Sequence, residues 1–119
     1  TVGGRVLLPE GAEIGVVEEV SSHSSRIRLY SAPGNKINAV LERHQVPVVL
    51  EGVGGGNFKI IIPRETEVEI GDRILSPALT LSLLAIVEDV HLSPTDSFKK
   101  VLAKSPANIF SVRFVSIFP

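Results

Sequence analysis

A period-two alternation of apolar and polar residues, cut at short intervals by glycine or proline, limits the folds open to this chain more than any other feature. Side chains of an extended strand point alternately to opposite faces, so residues i, i+2 and i+4 share one. In Arg26-Ile27-Arg28-Leu29-Tyr30 that spacing turns Ile27 and Leu29 inward and sends Arg26, Arg28 and Tyr30 outward. In Phe58-Lys59-Ile60-Ile61-Ile62 it buries Phe58, Ile60 and Ile62, each worth about 1.5 to 3 kcal/mol once covered. Gly or Pro recurs at Gly11, Pro33-Gly34, Pro47, Gly52, Gly54-Gly55-Gly56, Pro63, Gly71, Pro77, Pro94 and Pro106, too often for helix interiors to survive. Only Ser97 to Lys104 reads equally well as a short helix or a strand. The expectation is an all-β protein of short antiparallel strands with little or no helix.

One phrase occurs twice. Gly3-Gly4-Arg5-Val6-Leu7-Leu8-Pro9 aligns with Gly71-Asp72-Arg73-Ile74-Leu75-Ser76-Pro77, and Ile14-Gly15-Val16-Val17-Glu18-Glu19-Val20 aligns with Leu84-Ala85-Ile86-Val87-Glu88-Asp89-Val90. Each copy reads as a glycine turn, a strand, a proline-bounded turn and a second strand. On strict alternation Val17 and Val87 share their faces with Glu19 and Asp89, giving both strands one mixed face. Two copies are too few for a solenoid, so the repeat predicts two small, related barrel-like modules. Residues 1–33 with 107–119 form the first, truncated at its start and completed by the last strand, and residues 34–106 form the second.

Composition narrows the function. With 119 residues, 44% of them hydrophobic, the chain can bury one real core or two very small ones. The formal net charge is −1 and the basic residues are interspersed with acidic ones, so no basic stripe is available for a phosphate backbone, and nucleic acid is not expected as a partner. Without cysteine there is neither a disulfide framework nor a thiolate metal site, which suits either redox compartment. No apolar run reaches the roughly 20 residues of a membrane helix, and no signal-peptide pattern is present. The chain begins with Thr1 and enters an apolar run almost at once, from which an anchor or targeting segment is expected upstream.

Candidate chemistry is sparse. A serine-protease triad would draw on His23 or His44, Asp72 or Asp89, and one of many serines, but no Gly-x-Ser-x-Gly elbow occurs. His23 in the polar "SSHSS" run reads as a turn residue, His44 as a surface residue and His91 as a strand end. The histidines are too scattered to pair as metal ligands, and Glu65, Glu67 and Glu69, spaced by two, read as a solvated face of an extended segment. Gly54-Gly55-Gly56 lacks the Lys-Ser/Thr and the helix of a phosphate loop and reads as a hairpin. No catalytic residue, cofactor or metal is therefore expected. Contact candidates are Tyr30 and Arg28, residue types enriched in interface hot spots, together with Phe110 and Phe114 on one face of the last strand. That strand, 109–118, has two apolar faces, so it reads either as central or as a docking surface.

Taken in order, these segments resemble the bacterial cell-shape family MreC. "GRVLLPEGAEIGVVEEVSSHSSRIRLYSAPG" (4–34) resembles the family's glycine-bounded strand, "IGVV-EV" strand and "S-H-S-R" turn. "LEGVGGGNFKIIIPRETEVEIGDRILSPAL" (50–79) resembles its glycine-rich hairpin and "V-GD-V" turn, residues 84–90 the strand that follows, and "SFKKVLAKSPANIFSVRFVSI" (97–117) its closing strands. Residues 76–83 depart from the family's glycine-rich loop, which leaves no basis for carrying over any contact made there. The resemblance implies a non-enzymatic scaffold, on the periplasmic side of the bacterial inner membrane and single-pass anchored in the full-length protein. It would bind and organise peptidoglycan-synthesis proteins of the elongation machinery and so maintain rod shape. Implied partners are a class B penicillin-binding transpeptidase, the elongation polymerase, MreD, indirectly MreB, and further copies of itself. The competing readings are a protease-like hydrolase on a double barrel, disfavoured by the missing nucleophile signature, and an adaptor module of a periplasmic transport assembly, weakened by the lack of a lipoyl-type hairpin around a lysine.

Overall fold

The computed structural model describes residues 2–7, 12–21, 24–77, 82–106 and 116–118. Among these residues ten strands run in chain order: β1 (Arg5–Leu7), β2 (Glu13–Val20), β3 (Ser25–Leu29), β4 (Lys36–Leu41), β5 (Val46–Gly54), β6 (Asn57–Pro63), β7 (Arg73–Leu75), β8 (Leu83–His91), β9 (Phe98–Lys104) and β10 (Ser116–Phe118). The ambiguous segment from Ser97 is therefore strand β9, and the one helical turn among the described residues is a short 3-10 turn at Arg43–Gln45. The molecule is all-β, as the alternation requires.

The strands form one closed barrel, in the order β4-β5-β6-β9-β8-β7, and one open four-stranded sheet, β10-β1-β2-β3. Two barrel-like modules were expected; among the described residues the later sheet closes and the first is seen as four strands. The barrel adds the β4–β5–β6 ribbon to its copy of the repeat, and β4 returns to pair with β7 through Val40↔Leu75 and Leu41↔Ile74. Closure covers strand edges that would otherwise lie open.

The repeat itself is real at the level of single hydrogen bonds. Gly3 N donates to Val17 O and Val17 N to Gly4 O, both at 2.8 Å; Gly71 N donates to Val87 O at 2.8 Å and Val87 N to Asp72 O at 2.9 Å. Arg5↔Val16 and Val6↔Gly15 correspond to Arg73↔Ile86 and Ile74↔Ala85, and both copies shift register one residue later. The third strands match too: Val16↔Arg28 and Val17↔Ile27 correspond to Ile86↔Lys104 and Val87↔Ala103. A bulge after Val17 and another after Val87 set two residues against one. This overturns the mixed face read from strict alternation, because the extra residue reverses the parity of all that follows. Val17 and Val87 are buried, whereas Glu19 lies outside beside Arg26.

Two cores result. The barrel core includes Leu41, Leu50, Phe58, Ile60, Ile62, Ile74, Val87 and Val101, all buried, and the sheet covers a smaller cluster of Val6, Ala12, Ile14 and Val17. The segment joining β3 to β4 lies on β5 at Gly52. A Cβ there would stand 2.4 Å from the carbonyl oxygen of Ala32 and 2.7 Å from that of Tyr30, so only glycine permits this approach. Gly54 N donates to Ser31 O at 2.7 Å and Gly34 N to Gly52 O at 3.0 Å, which fastens the joint. The Gly54-Gly55-Gly56 run turns the β5–β6 hairpin with all three residues at positive φ, as read from sequence.

Candidate protein-binding surface

The exposed face of the open sheet carries paired charges. Arg26 meets Glu19 at 3.9 Å and Arg28 meets Glu18 at 4.0 Å. Arg28 is exposed, as the alternation placed it, and its loose pair leaves the guanidinium free to exchange partners at little cost.

Tyr30, also expected outward, is not. It stands just past the end of β3, where the chain turns toward the barrel; it is half-buried against the barrel core, and its hydroxyl donates to Glu13 Oε2. Glu13 is buried in β2 and also receives Arg5 Nη1 at 3.3 Å. Burial, and then the hydrogen bond to the Glu13 carboxylate, push the Tyr30 phenol well above its ordinary range. Alternation fails at Tyr30 because the strand has ended and the phenol ring spans the joint between sheet and barrel. Phe110 and Phe114 lie outside the described residues, as does His23.

A second polar cluster sits at one end of the barrel. The 3-10 turn holds His44 and Gln45 at φ 61° and 54°, a left-handed backbone that costs most residues about 1 to 2 kcal/mol each. Ion pairs hold the turn in place. Arg43 grips Asp72 in fork fashion, Nε to Oδ2 at 2.8 Å and Nη2 to Oδ1 at 2.9 Å, and its Nη2 also donates to Glu69 at 3.0 Å. Arg73 donates to Glu42 through Nε at 3.0 Å and through Nη2. His44 Nε2 meets Glu67 at 2.7 Å. The hydrogen bonds from Arg43 hold the Asp72 carboxyl below the usual carboxylate range, and those from Arg73 do the same for Glu42. Asp72 also accepts from Glu69 N at 2.9 Å, so one carboxylate closes the turn before β7 and pins the turn before β5. That is the physical content of the Gly71-Asp72 phrase, and the sequence reading passed it over.

Among the described residues the triad candidates are not assembled. Asp72 is engaged with Arg43 rather than a histidine, His44 turns to Glu67, and His91 Nε2 meets Asp89 at 3.0 Å on its own strand. His44 and His91 are exposed, the first a surface residue and the second a strand end, as read. Of the carboxylates spaced by two, Glu67 and Glu69 serve as counter-ions to the turn. Among the described residues no three His, Cys, Asp or Glu side chains gather as a metal site, and no helix is long and apolar enough to cross a membrane.

A closed six-stranded barrel, joined to a four-stranded sheet through a linker packed on glycine, defines a β-barrel core. The chain belongs to the MreC family: the family model described as rod shape-determining protein MreC, barrel core, matches residues 1–119. Solved structures share the fold. The crystal structure of MreC from Pseudomonas aeruginosa superposes with a TM-score of 0.89 at 21% identity, over 100% of this chain and 81% of that one. A second MreC structure also gives 0.89 at 21%, over 100% and 71%. MreC of Listeria monocytogenes gives 0.77 at 15%, over 98% and 60%. No curated protein matches the sequence.

Proposed function

We propose that this chain is the non-catalytic binding core of a periplasmic scaffold that organises peptidoglycan-synthesis proteins of the elongation machinery and thereby maintains rod shape. The observation that carries the reading is the match of the whole chain to the barrel core of a rod shape-determining family. In this reading the full-length protein is held at the periplasmic side of the inner membrane by a single-pass anchor outside this chain. Its partners are a class B penicillin-binding transpeptidase, the elongation polymerase and MreD, with MreB reached indirectly, and copies of the protein self-associate. Residues 1–33 with 107–119 act as one unit and residues 34–106 as the other; the pairing of β10 with β1 supports that division. Arg28, Phe110 and Phe114 are the proposed contacts, and Tyr30 sets the angle at which the sheet presents Arg28.

The test is capture of the periplasmic domain of the transpeptidase by the intact protein immobilised on a surface. Retention is expected, with Arg28→Glu weakening it about fivefold or less, the scale of an exposed charge contact. A folded protein that retains neither the transpeptidase nor MreD overturns the reading.

A further inference from the structure

Three neighbouring barrel strands, with the loop that joins two of them, enclose a hollow on the outer face of the barrel. Ile60, Ile62 and Val101 are buried in the core, so alternation turns Ile61 of β6 and Lys100 of β9 outward. The register sets Lys100 opposite Ile61 on one side and opposite His91 of β8 on the other. These three make a row across the ladder, close enough for their side chains to touch. Phe98, two residues before Lys100, stands on the same face opposite Pro63. Leu92 follows His91 and opens the loop that returns to Phe98. The hollow measures about 630 Å³, with Ile61, Leu92, Phe98, Lys99 and Lys100 among its walls and Asp96 on the loop side. All of these lie inside the unbroken described stretches 24–77 and 82–106.

The loop wall is shaped in advance. Arg64 Nη1 donates to the carbonyls of Pro94 and Asp96, both at 3.0 Å, and Arg64 N donates to Ser97 O at 2.9 Å. Asp96 N donates to Ser93 O at 3.1 Å. A wall held by four such bonds has little ordering left to lose when something docks against it. Ile61 and Phe98 are each 57% exposed and Leu92 42%. Single exposed apolar side chains are ordinary, but three round one hollow form a patch. Lys100 stands among them. Among the described residues neither Lys100 nor Lys99 has a carboxylate within ion-pair distance, whereas Asp89 is taken by His91 at 3.0 Å and Glu51 by Lys59 at 3.7 Å.

We propose that this hollow is a docking site for a segment of a partner protein in which one aromatic side chain is flanked by carboxylates. The aromatic ring is covered by Phe98, Leu92 and Ile61, and ring against ring adds to the area buried. A flanking carboxylate meets Lys100, with Lys99 adding to the field and Asp96 turning acidic groups away from the loop wall. The cation within the apolar ring is what requires an acid: an uncharged segment laid over Lys100 would strip water from the ammonium and give it no partner. A lipid surface fits less well, because the loop tip, Pro94-Thr95-Asp96, has no aromatic or long aliphatic side chain to insert and ends on an acid. A second copy of this chain is disfavoured, because the acids beside its exposed Ile70, Glu67 and Glu69, are held by His44 and Arg43. The proposal rests on the scaffold reading only in taking the occupant to be protein.

The test titrates the labelled chain with the capped peptide Gly-Ser-Asp-Phe-Glu-Ser-Gly and follows amide shifts by nuclear magnetic resonance. Saturable shifts are expected at Ile61, Leu92, Phe98 and Lys100. Affinity is expected to fall about fivefold or more when lysine replaces both acids of the peptide, and by as much when alanine replaces its phenylalanine. Lys100→Glu should reverse the charge preference, and Phe98→Ala should weaken binding of the acidic peptide about fivefold or more. Both side chains are exposed, so the melting temperature of each variant should match that of the native chain. No saturable shift up to about 5 mM peptide, shifts confined to another face, or equal binding of the acidic, lysine and alanine peptides overturns the proposal. Vesicles of anionic phospholipid that shift the same amides while the peptide leaves them unmoved overturn it in favour of a membrane surface. The same amides shifting with protein concentration alone, with sedimentation showing dimers, overturn it in favour of a second copy. Transpeptidase capture is a separate measurement, so the docking site can fail while the scaffold reading stands.

Discussion

At Tyr30 a single hydroxyl links a ring packed on the barrel core to a buried carboxylate of the sheet. The Glu13 carboxylate is 4% exposed, and an ionised oxygen so far from water needs donors; Tyr30 and Arg5 supply them. Tyr30→Phe removes one donor and leaves its acceptor buried, an expected loss of about 1 to 3 kcal/mol, read by urea unfolding at pH 7. The same contact predicts an alkaline limit. The folded phenol titrates above its ordinary value near 10, so the folded state holds the proton that the unfolded chain releases. The contribution is complete below about pH 10 and is lost as pH rises toward the folded value. Unfolding between pH 9 and 11 should show that fall in the native chain and a smaller one in Tyr30→Phe; equal slopes would mean that the phenol is not the group responsible. None of this was legible in the sequence. Alternation sees which face a residue takes along a strand, and Tyr30 belongs to a joint, where the partner is Glu13, seventeen positions away.

At the scale of elements, the duplicated phrase was legible because its two copies make the same register and the same bulges, and each bulge needs the same spacing. What alternation could not show was closure, which depends on β4 meeting β7 across more than thirty residues. Asp72 is where the copies part. Gly4 stands at its position in the sheet and has no carboxylate, whereas Asp72 pins the Arg43 turn to β7. Its folded pKa is depressed, so its contribution is present above the ordinary aspartate value near 4 and is lost as pH falls through the folded value. Asp72→Asn should lower the melting temperature at pH 7 and flatten the decline between pH 5 and 2; an unchanged acid decline would place it on other carboxylates. Glycine gives a second contrast. Gly52→Ala drives a Cβ into main chain 2.4 Å away, which no rotamer relieves, with an expected loss of about 3 kcal/mol or more. Gly34→Ala meets nothing within 4 Å but sits at φ +81°, so it should cost only about 1 to 2 kcal/mol. Thermal melts of the two variants side by side decide it, and similar losses would show that the linker yields at Gly52.

Over the whole molecule, two clusters of buried side chains stand apart, thirteen of the described residues in the barrel and four under the sheet. The four-stranded sheet meets the barrel through the Tyr30–Glu13 contact and the linker packed on Gly52. The radius of gyration, 14.8 Å, exceeds the roughly 13.5 Å of a compact chain this long, because the parts stand end to end with a narrow joint between them. A platform of that shape can hold partners at fixed spacing only if the joint is stiff, whereas among the described residues β3 has one neighbouring strand and every barrel strand has two. Native-state hydrogen exchange should therefore show the amides of β2 and β3 opening by a partial unfolding of lower free energy than those of β6, β8 and β9, which exchange only on global unfolding. In Tyr30→Phe the gap should widen, the sheet amides exchanging about fivefold faster or more while the barrel amides keep their rates. If sheet and barrel amides instead share one opening free energy in both proteins, the joint is as cooperative as the cores, and the sheet is an extension of the barrel rather than a part that the barrel holds.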